Sequence, residues 1–333
     1  MPPKRVPVID IRQLGSRGPR HDETIRAIGT ACREYGFFHI TGHGIPSDLI
    51  EHVWCETKRF FALPLDAKEA VSRSKENARG WYNRELTKNT RDMKEVFDFG
   101  HTAHPELPDD DPANWAQDGF NRWPDAHLCP DFRPTMQEYF RACERVAFTL
   151  LETIAESLGM PPEALTRDFV GRHTSFVRLN HYPCHDPLAP DRPASATGHL
   201  GIHHHTDAGA LTVLLHDDVS GLEIRLDGEW ILVEPVTGAL VVNIGDIVQV
   251  WSNDRYPAPV HRVRPSTTRE RYSLPFFFNP VYEAVYAPLA AVTKEQSPPR
   301  YRPITWGDFR RRRQQGDYAD YGPENQISDY RIP

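Results

Sequence analysis

The stretch from residue 205 to residue 215, His-Thr-Asp-Ala-Gly-Ala-Leu-Thr-Val-Leu-Leu, places a candidate metal-binding pair directly before an apolar, β-rich run. His205 and Asp207 are separated by one residue, so in an extended chain both side chains point to the same side. His261 lies further on, in the strand-like segment Val-His-Arg-Val. The pattern predicts that two imidazoles and one carboxylate meet on a rigid β framework.

This set of side chains is typical of non-haem Fe(II), because two imidazoles and a carboxylate on one face of the ion leave three adjacent positions for a co-substrate and O2. Arg271 and Ser273 follow His261 in the pattern R-x-S. A guanidinium presents a planar fork of donors that matches a carboxylate. We therefore predict an iron site of His205, Asp207 and His261, which are also the catalytic residues, beside a carboxylate clamp.

The motif H-x-D is weak on its own, since it occurs a second time at His216 and Asp218. The second copy falls in a polar turn, and we expect it to lie at the surface. His203 and His204 adjoin His205, but only His205 is followed two residues later by an aspartate. The setting of the first copy, rather than the motif, selects His205.

From residue 176 onward the sequence predicts many short strands separated by turn signals, which is typical of a double-sheet jelly roll or a barrel. Alternation along a strand would turn Arg271 and Ser273 to one face. The predicted strands are Phe176–Tyr182, Ala210–Leu215, Leu222–Leu226, Trp230–Glu234, Ala239–Ile244, Ile247–Trp251, Val260–Arg264 and Arg271–Phe278.

The preceding half has a more helical pattern, which predicts a scaffold around the β core. Ser47 is a plausible N-cap for one of its helices. Residues 305–313 predict a further helix whose four consecutive arginines, Arg310 to Arg313, lie at a solvated C-terminal end. The other predicted elements are a strand at Val6–Ile11, a helix at Asp22–Tyr35, a strand at Gly36–Ile40, a helix from Ser47 to near Pro64 and a helix at Pro134–Leu158.

The predicted organisation is mainly β with flanking α: a double-stranded β-helix (jelly roll, cupin-like) core with N-terminal and packing helices. Its four parts are an N-terminal α/β region at 1–130, scaffold helices at 131–172, the oxygenase jelly-roll core at 173–285 and a C-terminal segment at 286–333. We expect the helix of the last segment to cover the active site.

Composition limits the partners. The 333 residues carry 39 basic and 46 acidic side chains, a formal charge of −7, so no overall basic field favours nucleic acid or an anionic membrane. No segment has the apolar length of a signal peptide or a membrane span. Five cysteines without a C-x-x-C pair argue against a disulfide framework. We predict a cytoplasmic protein, since a reducing compartment also keeps iron ferrous.

The sequence resembles the isopenicillin N synthase-like family of Fe(II)/2-oxoglutarate-dependent dioxygenases across about residues 6 to 285. The resemblance implies a double-stranded β-helix, Fe(II) held by His205, Asp207 and His261, and 2-oxoglutarate held by Arg271 and Ser273. It also implies co-substrate contacts from Asn180 and Tyr182. The motifs that carry it are Val8-Ile9-Asp10, Gly36 to Gly44, Arg178 to Pro183, His205-Thr206-Asp207, Gly221-Leu222, Trp230, Asn243 to Asp246, Ser252-Asn253, His261-Arg262-Val263 and Arg271-Tyr272-Ser273.

The implied reaction consumes 2-oxoglutarate and O2, releases succinate and CO2, and hydroxylates a small molecule, with specialised metabolism as the expected setting. Three alternatives remain open at this point. An oxidase like isopenicillin N synthase would use the same ligands without 2-oxoglutarate, for cyclisation or desaturation. A zinc hydrolase could use two histidines and a carboxylate. A catalytically silent jelly-roll binding protein would keep the fold alone.

Substrate contacts are predicted in the loops at 79–100 and 183–200 and in the tail after Pro280. In the first of these, Arg84, Glu85 and Thr87 are the candidate substrate-binding residues, because a comparable polar and aromatic stretch lines the pocket in relatives of the family. Surface charge is the alternative interpretation of these three. The proline-rich segment at 183–193 is either a lid or a rigid structural loop.

Overall fold

The computed structural model describes residues 5–102, 104–186, 188–193, 200–293, 297–318 and 324–333. The strands are β1 Val8–Asp10, β2 Phe37–Thr41, β3 Gly80–Tyr82, β4 Leu86–Thr87, β5 Thr90–Arg91, β6 Glu95–Gly100, β7 Phe176–Tyr182, β8 His185–Asp186, β9 Ala189–Pro193, β10 Ile202–His205, β11 Leu211–His216, β12 Leu222–Leu226, β13 Glu229–Leu232, β14 Leu240–Ile244, β15 His261–Val263, β16 Arg271–Phe278, β17 Val285–Tyr286 and β18 Ile304–Thr305.

The helices are α1 Pro19–Glu34, α2 Ser47–Phe61, α3 Leu65–Glu69, α4 Phe132–Ser157, α5 Asp246–Trp251 and α6 Trp306–Tyr318. Within the described residues, none of them has both the length and the apolar character needed to cross a membrane.

Two sheets form the jelly-roll core. The larger has eight strands in the order β1-β2-β14-β11-β16-β7-β6-β3, and the smaller has four in the order β10-β15-β12-β13. Strands from the N-terminal region extend the larger sheet on both sides, since β2 pairs with β14 and β6 pairs with β7. The predicted mainly β fold with flanking helices is confirmed.

Apolar burial divides the interior into two layers. The larger cluster lies between the eight-stranded sheet and the helices, where α4 packs against β11 and β16 and is flanked by α1 and α2. The smaller cluster fills the space between the two sheets. It contains Phe37, Tyr182, Leu214, Leu222, Ile224, Val241 and Val263, all buried. This inner layer forms the floor of the site described below.

Most predicted strands agree with the structure to within two residues, and two predictions are wrong. The run Ile247–Trp251 belongs to the helix α5 and is not a strand. A short buried run rich in valine and isoleucine has no period that separates a helix from a strand, and four of its five residues are buried here. Ser47 is the first residue of α2, not its N-cap, which is Pro46.

Candidate active site

The structure brings His205, Asp207 and His261 together at the open end of the core. His205 ends β10 and lies directly across from His261 of β15, with ring centroids 4.3 Å apart. The Nε2 atom of each imidazole lies 3.6 Å from Oδ1 of Asp207. Two imidazole nitrogens and one carboxylate oxygen thus converge on one point, as the sequence predicts.

Backbone carbonyls orient both imidazoles. Nδ1 of His205 lies 2.7 Å from the carbonyl oxygen of His203, and Nδ1 of His261 lies 3.1 Å from that of Pro259. A carbonyl oxygen can only accept, so each Nδ1 carries the hydrogen and each Nε2 presents a lone pair. Burial and the neighbouring His205 lower the pKa of His261 to about 4, which keeps its imidazole neutral near pH 7.

Asp207 is anchored by the strands beneath it. Its Oδ2 accepts hydrogen bonds from the hydroxyl of Thr212 and from Nδ2 of Asn243, the latter at 2.7 Å. Thr212 and Asn243 are direct partners across β11 and β14, so sheet register sets their spacing. Burial alone would raise the pKa of Asp207. His261, His205 and the Thr212 hydroxyl lower it by more than burial raises it, so the net pKa lies well below its usual range and the carboxylate stays ionised. Only Oδ1 remains directed at the imidazoles.

A close backbone approach holds the Asp207 loop in place. The N–H of Asp246 donates to the carbonyl oxygen of Asp207 at 2.8 Å, and that of Gly245 donates to Ala210. A Cβ at Gly245 would lie 2.2 Å from the carbonyl oxygen of Gly209 and 2.8 Å from that of Asp207. Only glycine fits there, which explains the glycine of the Asn-Ile-Gly-Asp motif in physical terms.

A buried cation lies beside the triad. The Arg271 side chain is 1% exposed, and its Nε donates to the carbonyl oxygen of Val219 at 3.2 Å. Its Nη1 is buried without a hydrogen-bond partner, and no carboxylate among the described residues lies within salt-bridge distance of it. Burying a guanidinium without a counter-ion lowers the stability of the folded protein unless a bound anion neutralises the charge. We name the cavity of about 50 Å³ that Arg271 shares with the triad the clamp chamber.

Ser273, Asn180 and Tyr182 surround this chamber, as the sequence predicts. Ser273 and Arg271 are two residues apart on β16 and pair with Asn180 and Tyr182 of β7. The Tyr182 ring centroid lies 5.0 Å from the guanidinium carbon of Arg271. Asn180 Nδ2 approaches Ser273 Oγ at 3.4 Å, and its buried Oδ1 has no partner. The chamber therefore has Arg271, Ser273 and Asn180 on one side and the triad with Thr212 and Asn243 on another, with apolar side chains between them.

A second cavity of about 110 Å³ opens from the triad, and we name it the mouth chamber. It shares His205, Asp207 and Asn180 with the clamp chamber. Four cationic side chains line it, whereas Asp207 and two further carboxylates are its acidic groups. The cations are Lys94, Arg178, Arg310 and Arg313, and the further carboxylates are Glu85 and Glu324. With Asp207 set aside for a metal, positive charge exceeds negative charge in the lining.

The three predicted substrate contacts have different fates. Arg84 is exposed and does not line the mouth chamber, whereas Glu85 and Thr87 do. Glu85 is fully engaged by Lys94 at 2.7 Å, Arg178 at 2.7 Å and Arg73 at 3.1 Å. Thr87 donates to Asp92 at 2.7 Å. Glu85 therefore holds cations in position at the chamber wall, and it offers no free oxygen to a ligand.

The arginine run is only partly solvated, so the prediction of a solvent-exposed helix end is wrong for two of its members. Arg313 is 6% exposed and donates to the Thr206 carbonyl oxygen at 3.1 Å, next to the triad. Arg310 lies over the Phe176 ring at 4.8 Å. Arg311 and Arg312 are exposed. The i, i+3 spacing of Arg310 and Arg313, on the same helix as buried Trp306 and Phe309, was the available signal.

The second H-x-D copy does not form a site with the triad. Asp218 is 73% exposed and pairs with Arg269. His216 directs Nδ1 at the carbonyl oxygen of Asp217, at 2.7 Å. His203 hydrogen-bonds to Asp92 instead of facing the triad, and among the described residues only His205, Asp207 and His261 form a metal-type cluster at this end.

The donor chemistry fits iron and a 2-oxo acid. Two imidazoles with free Nε2 atoms and one carboxylate oxygen suit a divalent iron with open positions. The buried, unpartnered Nη1 of Arg271 suits an anionic oxygen. Both groups would meet in the clamp chamber, because the triad and Arg271 line it together.

Comparison with known proteins agrees with this chemistry. Residues 6–126 match the model of the non-haem dioxygenase in morphine synthesis N-terminal family, and residues 173–280 match the 2OG-Fe(II) oxygenase superfamily. Jasmonate-induced oxygenase 2 of Arabidopsis thaliana is 33% identical over 310 residues, 92% of this chain and 78% of that protein. The 2-oxoglutarate-Fe(II) type oxidoreductase hxnY of Emericella nidulans is 34% identical over 326 residues, 93% and 89% of the two chains.

Solved structures are similar over nearly the whole chain. A full-length Neurospora crassa protein in complex with alpha-KG and thymine superposes with a TM-score of 0.79 at 26% identity, covering 93% of this chain and 96% of that one. JOX2 in complex with 2OG, Fe and JA has a TM-score of 0.79 at 28% identity, covering 100% and 90%.

Proposed function

Because the chain belongs to the superfamily of 2OG-Fe(II) oxygenases, we propose that His205, Asp207 and His261 hold its ferrous ion. The enzyme is a 2-oxoglutarate-dependent non-haem iron dioxygenase that oxidises a small molecule with release of succinate and CO2. We infer that Arg271 and Ser273 hold the far carboxylate of 2-oxoglutarate. The observation that carries this assignment is the buried Arg271 guanidinium, whose Nη1 lacks a partner within the chamber of the triad.

Each residue has a separate task in this proposal. When bound, iron and 2-oxoglutarate would supply the activation of O2 for oxidation of the substrate. His205 and His261 keep their Nε2 lone pairs directed at the metal because carbonyl oxygens hold each Nδ1–H. Asp207 offers one oxygen because its other oxygen is occupied. Tyr182 and its apolar neighbours keep water from the clamp, which strengthens the attraction between Arg271 and an anion.

The relatives favour this reaction over the alternatives. The hxnY protein is an oxidoreductase of the 2-oxoglutarate-Fe(II) type, and two solved relatives contain 2OG or alpha-KG, one of them together with Fe. An oxidase that ignores 2-oxoglutarate would leave the buried Arg271 without an anion, unless its own substrate supplied a carboxylate. A zinc hydrolase or a silent binding protein would have no use for the clamp. Hydroxylation is therefore the outcome that we propose.

We further propose that the substrate is small and carries an acidic group. The mouth chamber measures only about 110 Å³, and four cations line it against two carboxylates besides Asp207. We propose Arg310 as a contact for the acidic group because its side chain lines the mouth chamber, whereas Asp118, with which it pairs at 3.3 Å, lies outside the lining. Thr87 also lines the chamber and is a candidate hydrogen-bonding contact. Arg84 is exposed and lies outside the lining, so we do not propose it as a substrate contact.

Succinate release by ferrous-reconstituted protein tests both proposals. We expect O2 uptake and succinate formation to be stimulated by a small carboxylic acid far more than by its methyl ester, and the product to gain about 16 mass units, the insertion of one oxygen atom. Equal stimulation by acid and ester would contradict the acidic substrate but leave the reaction class intact. Turnover that does not depend on 2-oxoglutarate would contradict the reaction class.

We also propose that the enzyme acts in the cytoplasm. All five cysteines are free thiols, and Cys32, Cys129 and Cys143 are buried. Such a set suits a reducing compartment, which would also keep the iron ferrous. Cell fractionation with an antibody against the full chain would test this location.

A further inference from the structure

A second group of metal-type side chains lies away from the triad. His101 follows β6, His173 precedes β7, and Glu144 lies on α4, which packs over the same sheet. One ligand atom from each of the three lies within 4.8 Å of the other two. The residues that line the adjoining cavity include none of those that line the clamp or mouth chambers.

The two imidazoles and the carboxylate are in contact. Nε2 of His173 lies 2.6 Å from Oε1 of Glu144, and the rings of His101 and His173 are 4.5 Å apart at 42°. The His173 side chain is 2% exposed, whereas that of Glu144 is 25% exposed. Among the described residues, no side-chain hydrogen bond involves His101. One imidazole of the group thus has both nitrogens uncommitted.

The outer contacts of His173 resemble those of a metal ligand. Its Nδ1 lies 2.8 Å from Oγ of Ser175, and that hydroxyl can donate in turn to the carbonyl oxygen of Asn279 at 3.3 Å. The Ser175 N–H also lies 3.4 Å from Nδ1, so without a metal Nδ1 can accept while Nε2–H donates to Glu144. When the hydroxyl donates to Asn279, Nδ1–H can donate to Oγ instead, and Nε2 then presents a lone pair. This is how histidine ligands are generally oriented by a neighbour on the far nitrogen. Burial and His173 also lower the pKa of His101 to about 4, so its imidazole is neutral near pH 7.

Space is available beside the group. A cavity of about 290 Å³ has both His101 and His173 in its wall. Three protein ligands leave at least one coordination position, and a cavity at that position can supply water or a small anion. Arg79 and Arg172 also line this cavity, so its wall is not purely acidic.

We propose that His101, Glu144 and His173 form a second metal site, for a transition ion of the zinc class. Imidazole ligands favour Zn²⁺ and its neighbours over Mg²⁺ and Ca²⁺, which prefer oxygen. The ion would tie α4 to the ends of β6 and β7, with its open position toward the cavity. Binding replaces the hydrogen bond between His173 and Glu144, and any hydrogen on Nε2 leaves as a proton.

Zinc stoichiometry separates this proposal from a simple hydrogen bond. Equilibrium dialysis of the full-length, metal-stripped protein, followed by elemental analysis, should give about two zinc equivalents, since the iron triad can also take zinc. His101→Ala and Glu144→Gln should each give about one, as should Asp207→Ala, and the combination of Asp207→Ala with His101→Ala should give about none. Zinc affinity at the second site should fall more than about 100-fold in Glu144→Gln, beyond the usual effect of an outer-shell change.

Glu144→Gln is the sharpest variant because its amide oxygen can still accept a hydrogen bond from Nε2–H of His173. A pair that serves only for packing would survive this change, whereas a metal site would lose its anionic ligand. His104→Ala is the matched control, since His104 also neighbours a glutamate, at 3.1 Å from Glu106, but both side chains are exposed. It should retain wild-type stoichiometry. Circular dichroism would establish that each variant is folded.

Three results would overturn the proposal. These are a wild-type protein that takes up about one equivalent, a folded Glu144→Gln variant that retains the wild-type stoichiometry, or a double variant that still binds zinc tightly. If His101→Ala failed to fold, Glu144→Gln would decide, because it keeps the shape of the side chain and one oxygen that can accept from His173.

Discussion

The two H-x-D copies of this chain have the same pattern and opposite fates. In the first, His205 faces His261 across a sheet, and Asp207 is 8% exposed with two donors on Oδ2. In the second, Asp218 is 73% exposed, and its contact is an ion pair with Arg269, itself 61% exposed. The sequence motif alone does not distinguish a metal-type site from a surface ion pair.

The difference comes from what surrounds each aspartate. Asp207 accepts hydrogen bonds from Thr212 and Asn243, which lie on adjacent strands, so the sheet itself positions the carboxylate. Asp218 projects from the loop between β11 and β12 into solvent, where water competes for both charges. The metal-type site at Asp207 therefore depends on side chains from several strands. The ion pair of Asp218 and Arg269 needs no such support.

Alanine substitution of the two aspartates should give the largest difference in the rate of succinate formation. We expect Asp207→Ala to lose more than about 100-fold of the succinate-forming rate, since a metal ligand should count for more than an outer-shell partner. Asp218→Ala should match wild type. Succinate release under saturating iron and 2-oxoglutarate measures both. Comparable losses in the two variants would show that the structural contrast has no functional meaning.

Exchanging each arginine for lysine should have the next largest effect. Arg271→Lys keeps the charge but loses the fork of donors, and a charge-assisted hydrogen bond is worth about 1.5–3 kcal/mol, or about 10- to 100-fold. We therefore expect the KM for 2-oxoglutarate to rise by about that factor, with little change in the rate at saturation.

Arg269→Lys is the control for that exchange, because Arg269 lies two residues away and faces solvent. Its KM for 2-oxoglutarate should equal that of wild type. A titration of tryptophan fluorescence with 2-oxoglutarate gives an independent measure of affinity. An Arg271→Lys variant with wild-type affinity would falsify the clamp.

Loss of a donor behind Asp207 should have a smaller effect on iron affinity. Asn243→Ala removes one hydrogen bond to Oδ2 and leaves that of Thr212, so the carboxylate is held less firmly. We expect iron to bind about tenfold more weakly, the lower end of the usual range for outer-shell partners. The rate at saturating iron should largely recover, which separates positioning from catalysis. A loss that excess iron does not restore would contradict a positioning role.

The sequence predicts the β framework well because alternation along strands is a local property. Arg271 and Ser273 were expected on one face, and they do line one chamber. The prediction of a strand at Ile247–Trp251 is wrong because the run is short and almost entirely buried, so no polar face marks its period. The triad could be predicted because its spacing belongs to a recognisable family pattern.

Clusters of side chains that come from distant elements, and that match no family pattern of spacing, cannot be predicted from the sequence. His101, Glu144 and His173 come from three elements, and only the packing of α4 on the sheet brings them together. Arg310 and Arg313 looked like a charge run because their burial depends on where α6 docks. Local sequence carries no information on that docking beyond the spacing of the apolar residues on the helix.

The smallest contrast lies within the arginine run itself. Arg310 lines the mouth chamber with 11% of its side chain exposed, whereas Arg311 is 55% exposed and pairs with Asp308 on its own helix. Arg310 already shares Asp118 with Arg79, so an acidic substrate would gain only part of its charge. A contribution of about 1 kcal/mol corresponds to about a fivefold rise in substrate KM for Arg310→Ala, with Arg311→Ala unchanged. Steady-state kinetics with an acidic substrate would measure both. Because the two residues are neighbours on one helix, equal effects would mean that overall charge, and not position at the chamber wall, determines substrate binding.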